Sequence, residues 1–206
     1  MYSNQSIWYN YSNYFGHPNL LWCEKITDNV FATYFNTISN LSYVFVGLKI
    51  IHENYTINST ITYYGLSCIV LGLLSGLYHA SLVWPLQIGD FIGMNILLSV
   101  MLSINLCNNL NYFIINFIIS NSLLLSFILL NLHIQLMILP FIFLIIFTSR
   151  YNYYFKKTIK YMLMAGFCSF VDINNIICYP NSIIQGHSLW HLFSGISLYY
   201  WYKHII

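Results

Sequence analysis

GHSLWHLFSG, residues 186–195, sets two histidines, His187 and His191, four positions apart inside an apolar stretch that runs from about 184 to 204. Residues at i and i+4 share one face of a helix. Two imidazoles on one helical face can offer a metal two nitrogen ligands, with a third drawn from elsewhere in the fold. The candidate for that third ligand lies more than a hundred residues earlier, in SGLYHASLVWPLQIGD, residues 75–90. There His79 follows Ser75 by four positions and precedes Asp90 by eleven.

The solvent of these helices follows from composition. The 206 residues are 58% hydrophobic, 19% aromatic and 6% charged, and the mean hydropathy is +0.65. A soluble domain carries about 25% charged residues, so too little polar surface is present to coat a water-soluble globule. An integral membrane protein is expected. The net charge of +2 is small, and no basic run or aromatic-interleaved basic patch is present, which sets nucleic acid aside. Residues 1–30 are polar and aromatic without a charged stretch followed by an apolar core, so no cleavable leader is expected.

Seven apolar segments follow, at about 31–51, 60–82, 86–107, 111–130, 132–149, 158–179 and 184–204. The fifth is short, contains Pro140, and is set off from the fourth by a polar turn near Asn131 and His133. The expected architecture is therefore all-α, a single seven-helix transmembrane domain over residues 31–206 preceded by a polar segment over 1–30. With seven spans, Lys49, Arg150, Lys156, Lys157, Lys160 and Lys203 fall on one side and Lys25 on the other. The positive-inside rule then places the N-terminus outside or lumenal and the C-terminus in the cytosol. Six spans would divide these charges. In the seven-span topology Ser75, His79, Asp90, His187 and His191 all stand at the outer end of the bundle, which supports a single site.

Ionisable residues within membrane segments are costly and mark functional sites by default; here they are Asp90, Asp172, His79, His187 and His191. Metal ligation explains three histidines at one depth better than three separate hydrogen bonds. Zinc is the expected ion, since three imidazoles leave a fourth tetrahedral position for water, which the metal makes acidic near neutral pH. Ligand type alone also admits iron or manganese. Asp90 is read as a ligand-orienting partner or as a general base, with a helix N-terminal acid after Pro85 as the structural alternative. Ser75 shares the face of His79 and can donate to a developing oxyanion. Cys23 and Cys178 both fall at the outer face, where a disulfide is permitted, whereas Cys68, Cys107 and Cys168 read as buried small apolar residues. Asn36 and Asn40, again four apart, are expected to face the bundle and bridge helices. Asn4 and Asn10 stand in glycan sequons on the outer side, relevant in a eukaryotic host.

Taken together, WCE at Trp22–Glu24, FNTISN at 35–40, SGLYHASL at 75–82 with Asp90 beyond it, FVDINNIIC at 170–178 and GHSLWHLFSG resemble the alkaline ceramidases, over nearly the whole chain and in the same order. The Ser, His, Asp and paired-His pattern alone is shared with a broader superfamily of seven-helix membrane hydrolases that includes the adiponectin-receptor-like proteins; WCE and NTISN narrow it. The resemblance implies a zinc-dependent amidase that cleaves ceramide to a sphingoid base and a fatty acid. It implies zinc on His79, His187 and His191, water activation by Asp90, oxyanion stabilisation by Ser75 and a Cys23–Cys178 disulfide. It also implies a calcium site at Trp22, Glu24 and Asp28, although two acidic positions of that site are Leu21 and Thr33 here and calcium needs oxygen-rich ligation. The expected partners are ceramide and the bilayer, with no obligate protein partner, in the endoplasmic reticulum or Golgi membrane of a eukaryote. Two alternatives remain open at this stage: a heptahelical lipid or hormone receptor with a structural zinc, and a membrane haem protein with His79 and His187 or His191 as axial ligands.

Overall fold

A computed structural model describes residues 6–54, 59–107, 110–129 and 135–206. Every regular element among them is helical: α1 (Tyr9–Phe15), α2 (Tyr34–Ser39), α3 (Leu41–Asn54), α4 (Ser59–Ser81), α5 (Trp84–Cys107), α6 (Leu110–Leu129), α7 (Gln135–Thr148), α8 (Tyr153–Ile173) and α9 (Gly186–Ile205). The polar turn expected at Asn131 and His133 lies outside the described residues, as does the sequon at Asn4. Two helical stretches, Thr60–Ser81 and Trp84–Leu106, are long and apolar enough to cross a membrane, with shorter apolar stretches at Ile114–Leu123 and Leu139–Thr148. Large apolar side chains point outward from several helices, among them Phe45, Phe143, Phe147, Leu163 and Phe167. Such a surface is consistent with a membrane protein.

The segment expected at 31–51 is divided at Asn40 into α2 and α3. Asn40 and Ser39 both turn their side chains back to the Asn36 carbonyl, which competes with the backbone ladder at that point. The sixth segment, expected at 158–179, begins earlier and ends sooner, because Asn152 caps α8 by accepting the Phe155 N–H and the chain leaves the helix at Asn174 and Asn175. Nor does the N-terminal segment hang free. It forms α1 and then lies along the bundle, where Gly16 O accepts the Trp84 N–H and Gln87 Oε1 accepts the Asn19 N–H.

Alternate helices run in opposite directions. α3 and α9 begin at one end and finish together at the other, where Lys49 and Lys203 reach Glu53. α4 and α8 return toward the first end, and α5 starts there after a tight turn in which Leu82 takes a left-handed conformation (φ 45°). The α3–α4 pair packs unusually closely: a Cβ at Gly47 would stand 2.5 Å from the Gly65 carbonyl oxygen, so only the absence of a side chain lets the backbones meet. The core beneath the first end is built from Tyr43, Tyr64, Leu71, Leu97, Leu198 and Trp201. Its polar tips are satisfied across helices, Tyr43 Oη with Ser194 Oγ and Tyr64 Oη donating to Leu198 O.

Candidate metal centre

The end at which α4 and α8 finish and α5 and α9 begin holds the histidines. His79 lies in the last turn of α4 and is fully buried, His187 is the second residue of α9, and His191 follows one turn later; both α9 histidines are buried. One ligand atom from each ring falls within 4.8 Å of the others, and Nε2 of His79 stands 3.1 Å from Nε2 of His187. Nitrogens bound tetrahedrally at about 2.05 Å are about 3.3 Å apart, so the donor set fits a metal with small adjustment. Among the described residues, Nδ1 of His79 and Nδ1 of His187 have no hydrogen-bond partner. Three buried imidazoles whose ring nitrogens converge this closely are suited to a cation. The 3.1 Å separation also disfavours His79 and His187 as an axial pair on haem, because axial nitrogens stand about 4 Å apart across a porphyrin plane at metal–nitrogen bonds of about 2 Å.

The start of α9 is fixed by its neighbours. Gln185 caps it in an extended conformation while its side-chain amide donates to the carbonyls of Tyr179, Pro180 and Ser182. Asp172, 1% exposed, accepts the His187 N–H on Oδ2 at 2.9 Å and the Cys23 N–H on Oδ1 at 2.8 Å. One carboxylate thus ties α8, the N-terminal segment and the start of α9 together. Gly186 is required beside it: an added Cβ would lie 2.8 Å from both the Asp172 Cβ and the Cys168 carbonyl oxygen.

The N-terminal segment crosses the histidines as a strap. Trp22 stacks on His187, ring centroids 3.4 Å apart and planes 13° apart. Cys23 forms a disulfide with Cys178, and Lys25 N–H donates to Pro180 O. Glu24 is buried and accepts the backbone N–H groups of Phe35 and Asn36 at 2.7 and 2.8 Å, at the start of α2. Burial pushes the Glu24 carboxyl above its ordinary value, and these backbone donors pull it partly back. Thr33 donates from N and Oγ1 to the His79 carbonyl. Of the residues assigned to calcium, Trp22 is thus engaged with His187, Glu24 with α2, and Asp28 is exposed. Among the described residues, the three histidines are the group of ligand-type side chains that can hold a metal.

Ser75 and Asp90 face each other and, with His191, line the upper wall of a cavity between α3, α4, α5, α7, α8 and α9. Along α5 this cavity extends from Asp90 to Met101, about 16 Å at 1.5 Å per residue. Below its polar rim it is walled mainly by apolar side chains, including Leu97, Ile145 and Leu198. A reacting group at the rim therefore sits beside carboxylate, hydroxyl and imidazole, while an attached hydrocarbon chain can lie below.

Not every expectation survives. Asn36 and Asn40 are buried; the Asn40 amide donates back to the Asn36 carbonyl, and among the described residues neither side-chain polar atom of Asn36 has a partner, so the expected side-chain bonds between helices are not found there. Cys68 is buried, Cys168 is partly exposed, and the side chain of Cys107 lies outside the described residues. Asn10 is exposed on α1. The residues that sequence reading left without a role, Asp172 and Ser39, contact the centre directly: Ser39 Oγ is 2.8 Å from Nδ1 of His191. An acid in an apolar segment signalled Asp172; nothing local distinguishes Ser39 from other helical serines.

No curated protein matches the chain. The family model described as Ceramidase matches residues 17–166, a range that holds the strap, α2, Ser75, His79 and Asp90 but stops before His187 and His191. With the buried histidine cluster and its neighbouring Ser and Asp already assembled in one place, this match establishes that the chain belongs to the ceramidase family, amide hydrolases that act on ceramide.

Proposed function

We propose that the chain is a zinc-dependent alkaline ceramidase that hydrolyses ceramide within the membrane. The observation that carries the reading is the convergence of three buried histidines, one of which, His191, lines a mainly apolar cavity together with Ser75 and Asp90. His79, His187 and His191 would hold the zinc, which when bound supplies a Lewis acid and acidifies water. The cavity receives a hydrocarbon chain of the substrate and brings the amide carbonyl to its rim. Asp90 takes a proton from the attacking water as its oxygen bonds to the carbonyl carbon. Ser75 donates a hydrogen bond to the oxygen on which negative charge develops. Asp90 then gives the proton to the amine nitrogen as the C–N bond breaks, releasing a fatty acid and a sphingoid base. Trp22 and Asp172 keep His187 in place throughout.

The same reading takes residues 31–206 as one seven-span domain, made of α2 with α3 and then α4 to α9, and residues 1–30 as a segment at its outer end. Lys49 and Lys203 lie at the end away from the histidines, which supports a cytosolic C-terminus and a lumenal centre. A disulfide at the centre's end fits an oxidising compartment such as the endoplasmic reticulum or Golgi lumen. Ceramide and the bilayer are the only partners required. The distribution of oxygen ligands gives calcium no step in the reaction.

The test is fatty-acid release from ceramide by detergent-purified protein at alkaline pH, with metal counted in the same sample and His191→Ala beside it. About one zinc per chain with turnover, both lost in the variant, is expected from three protein ligands. Turnover that persists in metal-free protein refutes the mechanism.

A further inference from the structure

Ser39 is the last residue of α2, opposite the first turns of α9. Its hydroxyl has one proton to donate, and the Asn36 carbonyl, 3.0 Å away, takes it. With that proton directed to the Asn36 carbonyl, the same oxygen accepts from Nδ1 of His191, 2.8 Å away, in the tautomer whose hydrogen is on Nδ1. With Nδ1 protonated, the lone pair of the neutral ring resides on Nε2. His79 and His187 differ, because their Nδ1 atoms have no partner among the described residues.

The position of Ser39 is itself built. Glu24 holds the N–H groups of Phe35 and Asn36, which fixes the start of the short helix. Asn40 Nδ2 donates to the Asn36 carbonyl from the other side. On the facing helix, Ser42 Oγ donates to the His191 carbonyl at 2.9 Å, which sets the distance between α3 and α9 beside the ring.

We propose that Ser39 is a positioning residue of the metal centre: by accepting the Nδ1–H of His191 it fixes the tautomer and ring orientation that present Nε2 as a ligand. This rests on the three histidines holding a metal, as inferred above. Partners that orient a ligand imidazole characteristically govern metal affinity about 10- to 100-fold. Removing the hydroxyl leaves the Asn36 carbonyl its Asn40 donor, so helix α2 itself survives.

The experiment measures zinc dissociation by chelator competition, and the visible spectrum of the cobalt-loaded protein, for wild type, Ser39→Ala and Ser39→Thr in detergent. Ser39→Ala is expected to bind zinc about 10- to 100-fold more weakly and to shift the cobalt bands, with an unchanged unfolding midpoint for the metal-free protein. Ser39→Thr keeps an acceptor oxygen and is expected to restore wild-type affinity and spectrum. Equal affinity and identical cobalt spectra in Ser39→Ala and wild type would overturn the role of Ser39 while leaving the metal centre standing. Equal losses in Ala and Thr would overturn it in favour of packing. A wild-type protein that binds neither ion would overturn the metal centre and this inference together.

Discussion

Replacing Asp172 by alanine tests whether one buried carboxylate joins three parts of the fold. Its two oxygens accept the Cys23 and His187 N–H groups at 2.8 and 2.9 Å, and the side chain is 1% exposed. Hydrogen bonds to a charged group are worth about 1.5–3 kcal/mol each, so losing both costs about 3–6 kcal/mol. The two donors cannot recover this from bulk water, since both bonds are buried. Asp172→Asn retains one acceptor oxygen but presents an NH2 group, itself a donor, to the other N–H, and should lose about half as much. The assay is denaturant unfolding in detergent at neutral pH with the Cys23–Cys178 disulfide intact, read by alkylation of Cys68, which is fully buried in the folded protein. A loss below about 1 kcal/mol for alanine, the size of one ordinary hydrogen bond, refutes the bridging argument. So does a larger loss for asparagine than for alanine.

Gly186→Ala should disturb the same junction from the opposite side: the added carbon meets the Cys168 carbonyl oxygen at 2.8 Å, backbone that cannot swing away. The expected result is an α9 displaced at His187 and weaker zinc binding in dialysis against a chelator, and wild-type affinity would show that the junction is looser than described. Asp90→Asn should keep its zinc and its unfolding midpoint while turnover falls by about 10²- to 10⁴-fold, the typical contribution of a general base; full activity would remove Asp90 from the mechanism. Glu24 carries a pH signature. Its carboxyl lies above the ordinary 4.5, chiefly through burial, so the folded chain holds the proton more tightly than the unfolded chain. The stability it contributes is full below 4.5 and declines as pH rises through the raised folded value. Unfolding midpoints measured across that window should therefore fall more steeply with pH in wild type than in Glu24→Gln, and parallel slopes would contradict the assignment.

Much of this protein follows from the chain read in order. The scarcity of charge makes a lipid solvent the expectation, four-residue spacing puts His187 and His191 on one helical face, and an apolar segment makes any ionisable side chain within it conspicuous. These are local properties: composition and helical period act over a few residues and need no partner to be recognised. Even Asp172 announced itself as a charge in an apolar setting, though not what it holds.

Tertiary structure decided the rest. The contact between Ser39 and His191 spans 152 residues, and that between Asp172 and Cys23 spans 149; neither leaves a periodic trace, because each depends on where two distant helices end relative to one another. Trp22 is an aromatic residue in a polar segment when read along the chain, and becomes a ring stacked on the His187 imidazole only when the strap is laid across α9. The division of the first span at Asn40 likewise comes from two side chains competing for the Asn36 carbonyl, a choice that a hydropathy pattern does not register. The sequence alone determined which residues are able to bind a metal and made lipid the expected solvent of the helices, since both follow from side-chain chemistry. Which ring atoms converge, and what keeps them there, was decided by packing, since a ring's orientation is set by neighbours that only folding brings within hydrogen-bond reach.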